Sequence, residues 1–98
     1  MTFDVATIRK DFPVLHRLVN DKPLVYLDSA NTSQKPQVVI DAQNNFYETI
    51  NSGVHRGAYY LAELATDAHE HARETIAAFV KEKFPMLGGA VNQIFKHK

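Results

Sequence analysis

Apolar residues recur at helical spacing near the start of the chain. Three of them lie three and four positions apart and so share one face: Val5, Ile8 and Phe12. The pattern predicts a short helix over residues 4–12. Asp4 is a suitable N-cap, because its carboxylate can accept hydrogen bonds from the free amides of the first turn. Pro13 ends the helix, since proline lacks an amide hydrogen and clashes with the preceding turn.

The next segment predicts one short strand. Residues 14–23 form a connector, and residues 20–23 have the composition of a turn. Leu-Val-Tyr-Leu follows at 24–27, and these residue types pack well on a pleated sheet. A polar loop follows at 28–35. A single strand cannot pair its own backbone amides and carbonyls. We therefore expect either that the strand pairs with another chain or that this chain is incomplete.

A second helix is predicted from Pro36 to about Asn51. Proline fits the first helical position, where its missing amide costs nothing. Four apolar residues of this helix fall on one stripe: Val39, Ala42, Phe46 and Ile50. Gly53 is expected to end the helix, because glycine enters the left-handed cap conformation without strain.

The third predicted helix, over residues 58–83, is the longest. Six residues spaced three or four apart form a narrow stripe suited to close packing: Leu61, Ala65, Ala68, Ala72, Ile76 and Phe79. Glu70 and Glu74 lie on its polar side. Beyond Pro85, Gly88-Gly89 predicts a hinge, and Val91, Ile94 and Phe95 predict one or two further helical turns. The fold class is therefore mainly α with one short strand.

Length, charge and cysteine usage exclude several classes of protein. The chain has 98 residues, enough for one small domain, and its 11 Lys and Arg balance its 11 Asp and Glu. Zero net charge gives no case for nucleic-acid binding, and the longest apolar run, 76–80, is far too short to span a membrane. The chain contains no cysteine, which excludes disulfides, thiolate metal sites and a catalytic thiol. We expect a soluble cytoplasmic chain that binds neither nucleic acid nor membranes.

Three polar clusters are candidates for chemistry. His69-Glu70-His71 lacks the second histidine four residues on, where Arg73 stands, so we interpret it as a solvated helix face and not as a zinc site. Residues 28–33 follow a predicted strand, where ligands often bind, but they show no glycine-rich phosphate pattern and suit helix capping. His55-Arg56-Gly57 lies in a link between two helices, and its spacing alone favours a polar turn over a binding site.

Several segments, kept in order, carry a family resemblance: Ile-Arg-Lys-Asp-Phe-Pro-Val-Leu at 8–15, Pro-Leu-Val-Tyr-Leu-Asp-Ser-Ala at 23–30, Ser-Gln-Lys-Pro at 33–36, Val-His-Arg-Gly at 54–57, and Leu61 with Ala65-Thr66. Over residues 1–82 the chain resembles the N-terminal portion of cysteine desulfurases of the sulfur-mobilisation (SUF) type, within the class V aminotransferases. Selenocysteine lyases share these motifs. Residues 83–98 read as an unrelated tail, such as a frameshift or early stop would leave.

The resemblance implies the N-terminal segment of an α/β transferase of fold type I, like aspartate aminotransferase, that depends on pyridoxal phosphate. The longer family members take sulfur from L-cysteine, leave alanine, and serve iron–sulfur cluster assembly. They hold the cofactor on a lysine in a Ser-Gly-His-Lys setting and accept sulfur on a cysteine of a mobile loop. We treat the partial likeness of His97-Lys98 to the lysine motif as chance.

The resemblance also implies roles for five residues. Ala30, Asn31 and His55 match positions near the substrate, although the family usually has a smaller residue at the Asn31 position. Arg56 and Gly57 match positions close to the subunit interface of a homodimer.

The function expected from this resemblance is that of a desulfurase fragment which is inactive and binds no cofactor alone, because the anchoring lysine and the sulfur-accepting cysteine are absent. An alternative is a small helical interaction module that binds itself or a full-length desulfurase homologue. A third is an enzyme that borrows its missing residues from a second chain. Since the family buries these helices against a large sheet, we expect a marginally stable, mainly helical chain prone to oligomers.

Overall fold

A computed structural model describes residues 2–87, 89, 90 and 93. The chain divides into two compact units, Met1–Glu48 and Thr49–Lys98. Its elements in order are helix α1 (Val5–Arg9), a 3₁₀ turn (Pro13–His16), strands β1 (Leu18–Val19) and β2 (Lys22–Pro23), helices α2 (Gln37–Thr49) and α3 (Tyr60–Lys83), and a second 3₁₀ turn (Pro85–Leu87). The mainly helical class is confirmed. The part of the chain that the structure describes shows no α/β transferase sheet, only this two-stranded one.

Helix α1 begins as the sequence predicts. The Asp4 carboxylate accepts hydrogen bonds from the Thr7 backbone amide at 3.3 Å and from the Thr7 hydroxyl at 2.6 Å. Both bonds hold the pKa of the Asp4 carboxyl below its ordinary value, and the bond from the Thr7 hydroxyl has the larger effect. The helix ends at Arg9, short of the predicted Phe12, because the amides of residues 10–12 donate to carbonyls three residues back, at 3.1–3.2 Å, and not four.

The predicted turn signal at 20–23 forms the tip of a hairpin. Asn20 and Asp21 both have positive φ, 52° and 62°. Two consecutive left-handed residues are typical of the type I′ turn, whose twist matches that of antiparallel strands. Strand β1 pairs with β2 so that Leu18 faces Pro23. The sequence located this turn, but it did not predict the strands on either side of it.

The predicted strand over residues 24–27 is wrong. The Leu24 amide donates to the Arg17 carbonyl at 3.2 Å, which extends the hairpin by one bond, and no strand is assigned at 24–27. A strand requires a ladder of partners, and residue preference alone cannot supply one. The single-strand description is therefore corrected to a two-stranded hairpin just before this segment.

Helix α2 begins one residue later than predicted and ends at Thr49. The Pro36 carbonyl accepts the amides of Val39 and Ile40 at 3.0 and 3.2 Å, so Pro36 directly precedes the helix. The Gln37 amide donates to the Asp11 carbonyl at 2.7 Å, which ties this helix start to the end of the first helical segment. The predicted stripe holds only in part: Phe46 and Ile50 are half-buried, whereas Val39 and Ala42 are exposed.

Gly53 does not end α2 in a left-handed conformation. No described glycine has positive φ, and the residue that adopts the left-handed region is His55, with φ 60°. A Cβ on Gly53 would lie 3.2 Å from the Cβ of Arg56, so the glycine permits a close approach of two loop residues.

Helix α3 is confirmed, starting two residues later than predicted. The buried apolar residues of the described chain are Ala62 and Ala65, each 1% exposed. Of the predicted packing stripe, Ala65 is buried, whereas Ile76 and Phe79 are 50% and 57% exposed. The less exposed side is instead turned by about one residue, and it includes Thr66, Glu70, Arg73 and Ala77.

No described helix is both long enough and apolar enough to cross a membrane. The predicted hinge at Gly88-Gly89 and the helical turns at Val91, Ile94 and Phe95 fall largely outside the described residues.

Candidate functional site

The loop between α2 and α3, residues 51–59, is held to the first half of α3; we call it the His55 loop. The His55 backbone amide donates to the Thr66 hydroxyl at 3.0 Å. A left-handed backbone is uncommon for a residue with a side chain and needs support from its surroundings. The Thr66 hydroxyl gives that support, since it satisfies the amide which this conformation turns towards the helix.

The His55 ring is held by a second residue of the same helix. Its Nε2 lies 2.7 Å from Glu70 Oε1. An ionised carboxylate only accepts hydrogen bonds, so Nε2 carries the proton and donates. The other carboxylate oxygen of Glu70 lies 3.7 Å from Arg73 Nε, and the His69 ring stands edge-on to that of His55 with centroids 6.0 Å apart. The His55 side chain remains 49% exposed and that of Glu70 23%.

Close packing near Gly57 fixes the end of the loop. A Cβ on Gly57 would lie 2.5 Å from Tyr59 Cε1 and 3.0 Å from the Ala62 Cβ, so only glycine fits without displacement. The Tyr59 hydroxyl and the Ser52 hydroxyl are 2.7 Å apart, which closes the loop on itself. Arg56 lies exposed within this loop.

A shallow depression of about 290 Å³ opens beside the loop. Its lining residues come from the loop and from the first two turns of α3: His55, Gly57, Ala62, Glu63, Thr66 and Asp67. The imidazole thus stands next to two exposed carboxylates. Among the described residues no group of three or more His, Cys, Asp or Glu side chains could hold a metal ion.

The other predicted site residues lie in a turn of the first unit. The Asp28 carbonyl accepts the Asn31 amide at 3.0 Å and the Thr32 amide at 3.3 Å, and the Asn31 side-chain amide donates to the Asp28 carboxylate at 3.3 Å. The Tyr26 hydroxyl donates to the Asp28 carbonyl at 3.2 Å and also to the Thr32 carbonyl. Ala30 is exposed at the tip. The Asn31 side chain is therefore engaged in holding its own turn.

A groove beside this turn has a mixed lining: Ile8, Arg9, Phe12, Leu15, Tyr26, Ser29, Ser33 and Gln34. The guanidinium of Arg9 in this groove already binds the backbone. Its Nη2 donates to the Leu24 carbonyl at 3.0 Å and to the Leu15 carbonyl at 3.4 Å. These bonds fasten the hairpin segment to α1.

The structure thus brings His55 and Gly57 to one depression, with Arg56 beside them, while Ala30 and Asn31 belong to the other unit. Sequence reasoning missed Thr66 and Glu70 as partners of His55. Their signal was present: residues four apart lie on one helix face, and both can accept hydrogen bonds. What the sequence could not show was that the loop folds back onto that face.

Comparison with known proteins gives the class to which these elements belong. The Aminotransferase class-V family matches residues 25–85, more than half of the chain. The chain therefore belongs to the class-V aminotransferase family.

Individual relatives of the chain are named as cysteine desulfurases. A "Probable cysteine desulfurase" of Mycolicibacterium paratuberculosis is 58% identical over 78 residues, which are 80% of this chain and 11% of that protein. One of Staphylococcus epidermidis is 48% identical over 83 residues, 85% of this chain and 20% of that protein. A "Cysteine desulfurase" of Synechococcus elongatus is 50% identical over 78 residues, 80% of this chain and 12% of that protein. The chain spans a fifth or less of the length of these relatives.

The family implies pyridoxal phosphate, whose covalent attachment requires a lysine amine. Neither the depression beside the His55 loop nor the groove beside Asn31 has a lysine in its lining. Lys35 directly follows Gln34, a lining residue of the groove, and its ammonium group donates to the Ser33 carbonyl. The two described depressions therefore do not build a cofactor site by themselves.

Proposed function

We propose that this chain forms the N-terminal, substrate-facing segment of a cysteine desulfurase, a transferase that depends on pyridoxal phosphate, removes sulfur from L-cysteine and leaves alanine. The observation that carries the proposal is the His55 loop: an imidazole held by two residues of α3, yet half exposed beside a depression, within the stretch that the family matches. Relatives named as cysteine desulfurases, 48–58% identical over this stretch, support the choice of activity.

In this proposal Ala30, Asn31 and His55 face the substrate, and Arg56 and Gly57 lie at the interface of a homodimer. The exposure of Ala30 and of the His55 ring is compatible with contact to a ligand. Asn31 contributes mainly through its turn, because its side chain is bonded to Asp28. Iron–sulfur cluster assembly in the cytoplasm is the proposed use of the sulfur.

The 98-residue chain alone is proposed to be inactive and to bind no cofactor. It contains no cysteine to accept sulfur, and the two described depressions present no lysine for the cofactor. With pyridoxal phosphate and L-cysteine, the purified chain should release no sulfide above the free-cofactor background. A clear excess would refute this part of the proposal.

A chimera tests the positive part. The chain's segment replaces the aligned 83-residue segment of the Staphylococcus epidermidis relative. We expect the chimera to bind pyridoxal phosphate, seen by its absorbance, and to release sulfide and alanine from L-cysteine. His55→Ala should then reduce turnover, with Glu74→Ala, an exposed change on α3, as the matched control. A chimera that takes up the cofactor but lacks turnover would contradict the proposal.

A second candidate function is an interaction module that binds a full-length desulfurase homologue or itself. It is favoured by the exposure of large apolar side chains along α3, such as Ile76 and Phe79. Size-exclusion chromatography with and without the Staphylococcus epidermidis relative would test it. A discrete complex that Phe79→Ser weakens supports this function, whereas a monomer that does not join the relative contradicts it.

A further inference from the structure

We propose that Glu70 is the positioning residue of His55, fixing the orientation of its imidazole at the substrate site while Thr66 fixes its backbone. The inference deepens the proposed function and rests on it for the role of His55. It follows from contacts that place both helix residues on one loop residue.

The two contacts act on different parts of His55. The Thr66 hydroxyl accepts a hydrogen bond from the backbone amide at 3.0 Å, and the Glu70 carboxylate accepts one from ring Nε2 at 2.7 Å. Because Thr66 and Glu70 are one helical turn apart, α3 presents them in fixed register. A backbone bond alone would leave the ring free to rotate about its side-chain torsions. The carboxylate contact acts on the ring itself, which the backbone bond does not reach.

Glu70 is itself oriented. Its second oxygen lies 3.7 Å from Arg73 Nε, three residues further along the same helix, and the side chain is largely covered. The short distance to Nε2 is typical of hydrogen bonds to an ionised acceptor, which are stronger than neutral ones. Helix α3 therefore holds the Glu70 carboxylate at a fixed position beside the His55 ring. The His55 side chain remains 49% exposed for contact with a ligand.

The first test is made on the 98-residue chain by NMR. The ring of His55 stands edge-on to that of His69, so the nuclear Overhauser contact between the two rings reports its orientation. Glu70→Ala should abolish this contact and give averaged His55 side-chain couplings. Glu70→Gln, which keeps an accepting oxygen but loses the charge, should restore part of it. Glu74→Ala is the matched control and should leave both signals unchanged.

Two results of this test would overturn the proposal. Glu70→Ala could leave the ring contact and the couplings as they are, which would mean that Glu70 does not orient the ring. Alternatively, Glu74→Ala could abolish the contact as well, which would make ring order a general property of α3. Far-UV circular dichroism checks that each variant keeps its helix, as expected because alanine is the best helix former.

The second test uses the chimera and separates the proposal from the function on which it rests. Glu70→Ala should lower kcat by roughly tenfold to a hundredfold at unchanged cofactor absorbance, by analogy with the loss found when the partners that orient metal-binding histidines are removed. Glu70→Gln should lose less, and Glu74→Ala should stay within about twofold of the parent. If His55→Ala reduces turnover and Glu70→Ala does not, the positioning role is refuted. If His55→Ala has no effect while the NMR contact depends on Glu70, the proposed function of His55 fails and the positioning stands.

Discussion

Removing the Thr66 hydroxyl should release the backbone of His55. Thr66→Val keeps the shape of the side chain but leaves the His55 amide without its acceptor at 3.0 Å. A hydrogen bond of this kind contributes about 0.5–1.5 kcal/mol net to the folded state. The left-handed φ of 60° at His55 also favours release of the backbone once the hydrogen bond is lost, because this conformation is unfavourable for a residue with a side chain.

The matching assay is amide hydrogen exchange at His55, followed by NMR. A loss of about 1 kcal/mol corresponds to roughly a fivefold faster exchange, since local opening free energies set the protection of each amide. Thr66→Ser is the control, because it retains the accepting hydroxyl and should keep the parent rate within about twofold. Equal His55 exchange in Thr66→Val and the parent would refute the idea that this bond holds the loop.

Three further predictions follow from local geometry. Gly57→Ala should destabilise the second unit by about 1 kcal/mol, measured by urea unfolding, because the new Cβ would lie 3.0 Å from the Cβ of buried Ala62 and would displace the exposed Tyr59 ring; unchanged stability would contradict the packing. Asp21→Gly should stabilise the hairpin by about 0.5–1 kcal/mol, since φ is 62° there and glycine adopts that region without strain; a lower urea midpoint would speak against it. Thr7→Val should raise the pKa of Asp4 towards its ordinary 3.8, by NMR titration. Because the folded-state pKa is lowered, the Asp4 carboxylate stabilises α1 fully above 3.8 in the parent, and this is lost as the pH falls through the lowered pKa.

The parts of the fold that the sequence predicted depend on neighbouring residues. Asp4 caps α1 because its partner, Thr7, is three residues away, and the long helix α3 follows from its own apolar period and good helix formers. The turn at Asn20 and Asp21 is local for the same reason. Such elements can be inferred from a short window of sequence.

The wrong predictions concern contacts between residues far apart in the chain. The segment 24–27 has strand-forming residues but no ladder, because strand formation depends on a partner. Gly53 was expected to take the left-handed conformation, yet His55 takes it, since Thr66 and Glu70 hold that residue from 11 and 15 positions away. The family resemblance indicated His55 without showing what holds it.

The order of the His55 loop and the stability of α3 have different physical sources. The loop is specified by polar contacts to Thr66 and Glu70, whereas the buried apolar residues in the described part of the chain are only two alanines. Full burial of one large apolar side chain contributes about 1.5–3 kcal/mol, so covering Ile76 and Phe79 would stabilise α3 by more than a single loop hydrogen bond does. Burial of Ile76 and Phe79 would therefore stabilise α3, whereas the orientation of the His55 ring depends on its contact with Glu70. The orientation of His55 is therefore measured in the 98-residue chain, and the proposed turnover is measured in the chimera.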